Sequence, residues 1–202
     1  MEFIANFMST DQDALDWARA RESEGWQVLG CADHFWSGVR TYPHVWTTLG
    51  AMAAVTTRAK LTTSFANNLF RSPVEFAQAS LTMHGVSRGR FEAGLGAGWT
   101  KDECVGSALE YPEPAGRAGR LIEAVQIVRR LFDDGKCTFT GRYYDIDVPI
   151  IGPAVRPYGT PELVASVGGD RTIAGCSPYL DRIEIKLISS ATKAGALDIG
   201  KL

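Results

Sequence analysis

Apolar residues occur in short compact runs and, between them, at helical spacing, and the two patterns alternate along the chain. Residues 2–8 form a first short apolar run. The polar residues 10–13 then offer N-cap chemistry for a helix that reaches Glu24 and ends at Gly25. Residues 27–32 (QVLGCA) are a compact run of the kind expected in a strand buried on both faces. Val45, Leu49, Met52 and Ala53 then recur at helical spacing over 45–56, and 60–66 supplies a third strand. Ser72-Pro73-Val74-Glu75 opens the next helix: Ser72 can cap, Pro73 suits the first helical position, and Glu75 can complete a capping box. That helix runs to His84-Gly85, and 90–96 (RFEAGLG) is a fourth strand. After a polar stretch, 117–134 carries Leu121, Val125, Val128 and Phe132 as one apolar stripe.

Residues 137–159 break the rhythm with aromatics and prolines, which predicts a long excursion or a small hairpin. Residues 162–167 (ELVASV) resume as a fifth strand, a short helix follows Gly168-Gly169-Asp170, and 182–188 is a sixth strand. Strands regularly separated by helices imply βαβ units on a parallel sheet. Both a doubly wound sheet and a closed barrel satisfy that pattern.

The length of 202 residues fits one domain over 1–202, with the excursion at about 137–160. A net charge of -2 with interspersed signs gives no electrostatic case for a nucleic-acid or membrane partner. Cys31, Cys104, Cys137 and Cys176 lie far apart, which argues against a metal site and a disulfide framework. The first residues lack a signal-peptide pattern, and no apolar run approaches the ~20 residues of a membrane helix, so a cytoplasmic location is expected.

Candidate chemistry gathers where strands end. Asp33-His34 follows the second strand, and an imidazole there can exchange a proton near neutrality. His44 begins a helix near the same loop and could line a pocket, whereas His84 sits at a helix C-terminus and reads as structural. Gly94, Gly96 and Gly98 do not match a dinucleotide fingerprint; at alternate strand positions they clear one face for backbone or a flat ring. Gly168-Gly169-Asp170-Arg171 is either a phosphate- or ribityl-binding turn or a plain strand-to-helix turn. Trp36, Tyr42 and Trp46 cluster around the second strand's loop, as pocket wall or simple packing, and Arg117 and Arg120 read as a solvated face.

The ordered set ADHF (32–35), TSF (63–65), SRGRF (87–91), GLGAGW (94–99), GRYY (141–144) and VGG (167–169) resembles the luciferase-like monooxygenase superfamily over residues 1 to about 190. The resemblance implies a (β/α)8 TIM-barrel type α/β fold with the site at the C-terminal ends of its strands. It implies coenzyme F-420, a deazaflavin, or alternatively FMN as cofactor, and a small-molecule substrate. It assigns His34 as the acid/base in hydride transfer. Asp33, Ser64, Phe65, Ala97, Gly98, Val167, Gly168 and Gly169 become cofactor-binding positions, and Trp36 and Trp99 walls of the substrate pocket. It also implies a cis peptide at Ser64-Phe65. Sugar-phosphate dehydrogenases of the superfamily carry an acidic residue at the place of Trp99, which argues against a sugar-phosphate substrate.

Six strands are used by residue 188, about six of the eight βα units of such a barrel, which takes ~250 residues. An incomplete barrel is expected to leave strand edges and apolar surface uncovered. The readings this leaves open are a shortened product of a longer chain, a compact barrel acting as a homodimer, and a non-catalytic flavin-binding homologue. As an enzyme, the chain reads as a deazaflavin-dependent oxidoreductase or an FMN-dependent monooxygenase.

Overall fold

Six parallel strands cross the main sheet in the order in which the chain supplies them: β1 (Ile4–Phe7), β2 (Val28–Cys31), β3 (Lys60–Thr63), β4 (Phe91–Gly96), β5 (Glu162–Val167) and β6 (Arg182–Ile185). The structure, a computed structural model, describes residues 3–8 and 11–185 and the backbone of 192–193 and 196–197. The part of the sixth predicted strand at 186–188 lies outside the described residues. Because strand order never reverses, successive right-handed crossovers put their helices on one face. A doubly wound sheet needs a reversal, so the sequence's open choice resolves to a barrel-type α/β progression.

The two faces of the sheet differ in chemistry. Phe7, Leu29, Leu61, Phe91, Leu95 and Leu163, at alternate strand positions, belong to the core shared with the helices. The intervening positions are largely polar. Glu92, 3% exposed, receives Lys60 Nζ at 2.8 Å and Arg182 Nη2 at 2.7 Å. Arg182 also reaches Glu184 at 3.3 Å. Burial, ahead of the opposing pull of Arg182, pushes the Glu184 carboxyl up. An ion-paired network therefore spans β3, β4 and β6 on this face.

The helices are α1 (Ala14–Ser23), α2 (Val45–Val55), α3 (Pro73–Val86), α4 (Lys101–Gly106), α5 (Pro114–Asp134) and α6 (Asp170–Cys176). Asp13 caps α1 by accepting from the N–H groups of Leu15 and Asp16, both at 2.9 Å. Ser72 caps α3 through Glu75 N–H at 3.1 Å, with Pro73 in its first turn as predicted. The long helix α5 starts at Pro114, earlier than expected, and stops at Gly135, whose φ of 69° is left-handed. The polar stretch before it contains α4, which the apolar pattern does not announce. The excursion contains an antiparallel hairpin, Cys137–Thr140 with Asp145–Val148. No described helix is long and apolar enough to cross a membrane.

Several loops are held by single side chains. Arg90, from the SRGRF segment, donates to the carbonyls of Ala53, Thr56 and Ala59 and so anchors the end of α2 to β4. His84 bridges the carbonyls of Phe91 and Tyr158 at 3.0 and 3.2 Å, the structural role expected for it. The Glu123 carboxylate accepts from the N–H groups of Arg142, Tyr143 and Tyr144, pinning the excursion's turn to α5. Glu22 does the same for the loop before β3, accepting from the N–H groups of Thr57, Arg58 and Ala59.

Burial pushes the Glu22 carboxyl up, but these backbone donors together with Arg58 outweigh it and hold the group below the usual carboxylate range. A folded value below the unfolded one means stability that is present above the unfolded pKa and lost as pH falls through the folded one. Glu22→Gln is expected to destabilise the chain by ~1–2 kcal/mol at neutral pH. The gap to the parent should narrow below about pH 4. Denaturant titrations at the two pH values check this, and a gap that persists unchanged in acid contradicts it.

Candidate active site

A cavity of about 300 Å³ opens at the C-terminal ends of β2 to β5. Asp33 and His34 enter it from β2, Ser64 and Phe65 from β3, and Ala97, Gly98 and Trp99 from β4. Ser166, Val167 and Gly168 come from β5, with Thr172 from α6 and Leu121 from α5. The Ser64-Phe65 peptide is cis, as the resemblance implies, and it separates β3 from the short segment Ala66–Asn67 that pairs with β4. Gly94 is required by this neighbouring backbone: a Cβ there would lie 2.0 Å from Thr63 O. Gly98 has a φ of +81°, and its Cβ would lie 2.4 Å from Asn67 Oδ1. At Gly94 the cleared face of β4 thus receives the backbone of Thr63, while Gly96 and Gly98 border the cavity.

Two predicted site residues fall elsewhere. Trp36 belongs to a hairpin, Trp36–Ser37 with Arg40–Thr41, and packs on α4 so closely that a Cβ at Gly106 would sit 2.9 Å from its ring. It does not line the cavity, so its expected role as a pocket wall is corrected to that of a support for α4. Gly169 also lies outside the lining, and its N–H donates to Thr172 Oγ1 at 3.3 Å. Trp46 sits with Phe76 and Phe91 at centroid distances of 6.0 and 5.9 Å, hence in packing. His44 bonds Thr47 Oγ1 at 3.1 Å, away from the cavity. Arg120 does not form a solvated face: its guanidinium lies 5.2 Å from the Tyr144 ring, and Arg117 lies 4.3 Å from that of Tyr111. Tyr144 reaches Asn68 at 3.2 Å, and burial, ahead of the opposing effects of Arg120 and Asn68, pushes its hydroxyl up.

The sequence reading missed the partners of Asp33 and His34. Glu103 on α4 is fully buried and places Oε2 2.9 Å from His34 Nδ1, while its Oε1 accepts the Phe35 N–H. Neutral His34 is thereby fixed with its proton on Nδ1, which leaves the lone pair on Nε2. Asp33 is gripped by Arg71, whose Nη1 donates to Oδ2 and whose Nη2 reaches Oδ1 at 3.1 Å, and it accepts the Asn67 N–H at 2.7 Å. Arg71 also pairs with Glu75 at 3.1 Å and lies 5.8 Å from the Trp46 ring. Burial, outweighing Arg71, pushes the Glu75 carboxyl up. Around His34 stand Tyr42 at a centroid distance of 5.0 Å and Trp99 at 5.6 Å, the latter nearly perpendicular to the imidazole.

The profile of the luciferase-like monooxygenase family matches residues 7–174, and the chain belongs to that family. Among known proteins it is 33% identical over 202 residues to an F420-dependent glucose-6-phosphate dehydrogenase of Nocardia farcinica, covering 91% of this chain and 60% of that one. It is 32% identical to the enzyme of the same name from Amycolatopsis mediterranei, covering 78% of this chain and 48% of that one. The chain thus spans about half to three fifths of these relatives' length. A solved F420-dependent secondary alcohol dehydrogenase, in complex with an F420-acetone adduct, superposes with a TM-score of 0.75 at 24% identity, covering 91% of this chain and 57% of that one. That likeness establishes the barrel-type fold.

Proposed function

We propose that this chain forms the coenzyme-binding and acid/base part of a deazaflavin-dependent oxidoreductase that moves hydride to or from a small organic substrate. The observation that carries the reading is His34 in the cavity wall, held through Nδ1 by the buried Glu103. The cavity's own chemistry fits a polar-edged flat coenzyme. Ser166 Oγ is buried in its lining without a hydrogen-bond partner among the described residues, the mark of a group awaiting a ligand. Phe65 and Val167 offer apolar surface for a ring, and Thr172 borders the cavity with its hydroxyl bonded to Gly169.

When bound, the deazaflavin ring supplies a carbon that accepts or donates hydride. His34 Nε2 accepts the proton of a substrate alcohol in the oxidising direction and returns it in the other. Glu103 keeps the lone pair on that nitrogen and stabilises the imidazolium that forms. Asp33, neutralised by Arg71, orders the segment around Asn67 rather than transferring protons.

Fluorescence titration with coenzyme F-420, compared with FMN, tests the coenzyme. Saturable F-420 binding that Ser166→Ala weakens is expected; tight FMN binding with none for F-420 sinks the reading in favour of a flavin monooxygenase. His34→Ala is expected to retain that binding while turnover falls ~10²–10⁴-fold, the usual contribution of a positioned acid/base. Unchanged turnover in this variant removes His34 from the chemistry.

A further inference from the structure

Among the described residues β6 pairs only with β5, and one guanidinium ties it further into the sheet. Arg182 reaches past β5 to β4, where its Nη2 donates to Glu92 Oε2 at 2.7 Å. The same nitrogen meets Glu184 Oε1, two residues along β6, at 3.3 Å. The two carboxylates are therefore unequal. Glu92 is buried and has a cation at each oxygen, because Lys60 Nζ donates to Oε1 at 2.8 Å from β3. Glu184 is partly buried, and its ion pair among the described residues is the longer share of Arg182. Its position matters for the cavity. The parallel register sets Glu184 beside Ser166 on β5 and Ser166 beside Gly96 on β4, and both Ser166 and Gly96 line the cavity.

We propose that Glu184 is a pH-operated release for β6. Protonated, it leaves Arg182 to Glu92 and the strand stays seated. Ionised, it favours an opening of β6 that returns its carboxylate to water, and the β5 wall of the cavity then loses its outer neighbour. Burial is the first cause: it pushes the Glu184 carboxyl up, Arg182 opposes it, and the facing charge of Glu92 adds to it. The other charges around the group are Lys60 on β3, engaged by Glu92, and Glu162 at the start of β5, which acts on Arg182. A folded value above the unfolded one means stability that is fully present below the unfolded pKa, about pH 4, and lost as pH rises through the folded one. The device goes beyond the coenzyme reading and works the same way whichever ring the cavity takes.

Amide hydrogen exchange of the coenzyme-free chain, corrected for its intrinsic pH dependence, tests the release. The amides of β6 are compared at about pH 5 and pH 8 with those of β2 in the same sample, which serve as the internal reference. Protection of β6 relative to β2 is expected to fall at least about threefold between the two pH values. Glu184→Gln, neutral at every pH, should keep β6 protected at the higher pH and lose this dependence. Glu184 is partly exposed, so the variant is expected to fold, which circular dichroism verifies. Arg182→Met cuts the fastening itself and should lower β6 protection at both pH values. Protection of β6 that tracks β2, or that rises with pH, overturns the proposal, as does a Glu184→Gln variant with the parent's pH dependence. An Arg182→Met variant as protected as the parent overturns the fastening. The measurement contains no coenzyme, so a failure to bind F-420 would remove the proposed reaction without changing this outcome.

Discussion

Glu103→Gln is expected to reduce turnover by about 10²–10⁴-fold while leaving the fold and coenzyme affinity near those of the parent. Glutamine has nearly the same shape as glutamate, and its carbonyl can still accept the Phe35 N–H that Glu103 Oε1 now receives. The amide nitrogen then faces His34 Nδ1, where Glu103 Oε2 stands at 2.9 Å. An amide N–H donates, so His34 must accept at Nδ1 and carry its proton on Nε2. The nitrogen that should take the substrate proton is then already protonated. The variant also lacks the charge that would stabilise an imidazolium. Nitrogen NMR of His34 should report the Nδ1–H tautomer in the parent and the Nε2–H tautomer in Glu103→Gln, a readout that mere loss of packing would not invert. The kinetic loss should fall on kcat more than on KM. A variant that keeps the parent's tautomer and turnover disproves the role given to Glu103.

That residue also shows where sequence reading stops. The alternation in Lys60-Leu61-Thr62 and in Arg90-Phe91-Glu92-Ala93 is visible in the chain, and the structure turns each set to the face that alternation dictates. The cap at Ser72 and the stripe on α5 were equally legible because local chemistry produces them. Glu103 was not. It lies among Asp102, Glu110 and Glu113 in a polar stretch, and nothing local marks which carboxylate is buried. The six residues of α4 are too few to display a period, and their placement under Trp36 is a tertiary event. Arg71 was hidden similarly, because a basic residue before a helix cap reads as a solvated loop position. Its partner Asp33 was legible as a site residue while its role was not. The cis peptide at Ser64-Phe65 came from family resemblance alone, since neither side chain requires it.

The Arg71–Asp33 pair provides the second large expected effect. Their side chains are 11% and 7% exposed, so removing one leaves the other's charge in a poorly solvated place. Arg71→Met is expected to lose ~3–5 kcal/mol of stability, the usual cost of an orphaned buried charge. Asp33 would keep only the Asn67 N–H among the hydrogen bonds that now hold it, and Glu75 would lose its cation as well. Because that N–H belongs to the segment bordering the cavity, coenzyme binding should weaken alongside stability. Adding Asp33→Asn removes the stranded charge, so the double variant should be more stable than Arg71→Met alone, although it has one more native side chain replaced. Guanidinium unfolding of the parent, both single variants and the double variant measures the coupling directly. Strict additivity of the two losses, or a loss below about 1 kcal/mol for Arg71→Met, shows that the pair is solvated and that the cavity floor is held by something else.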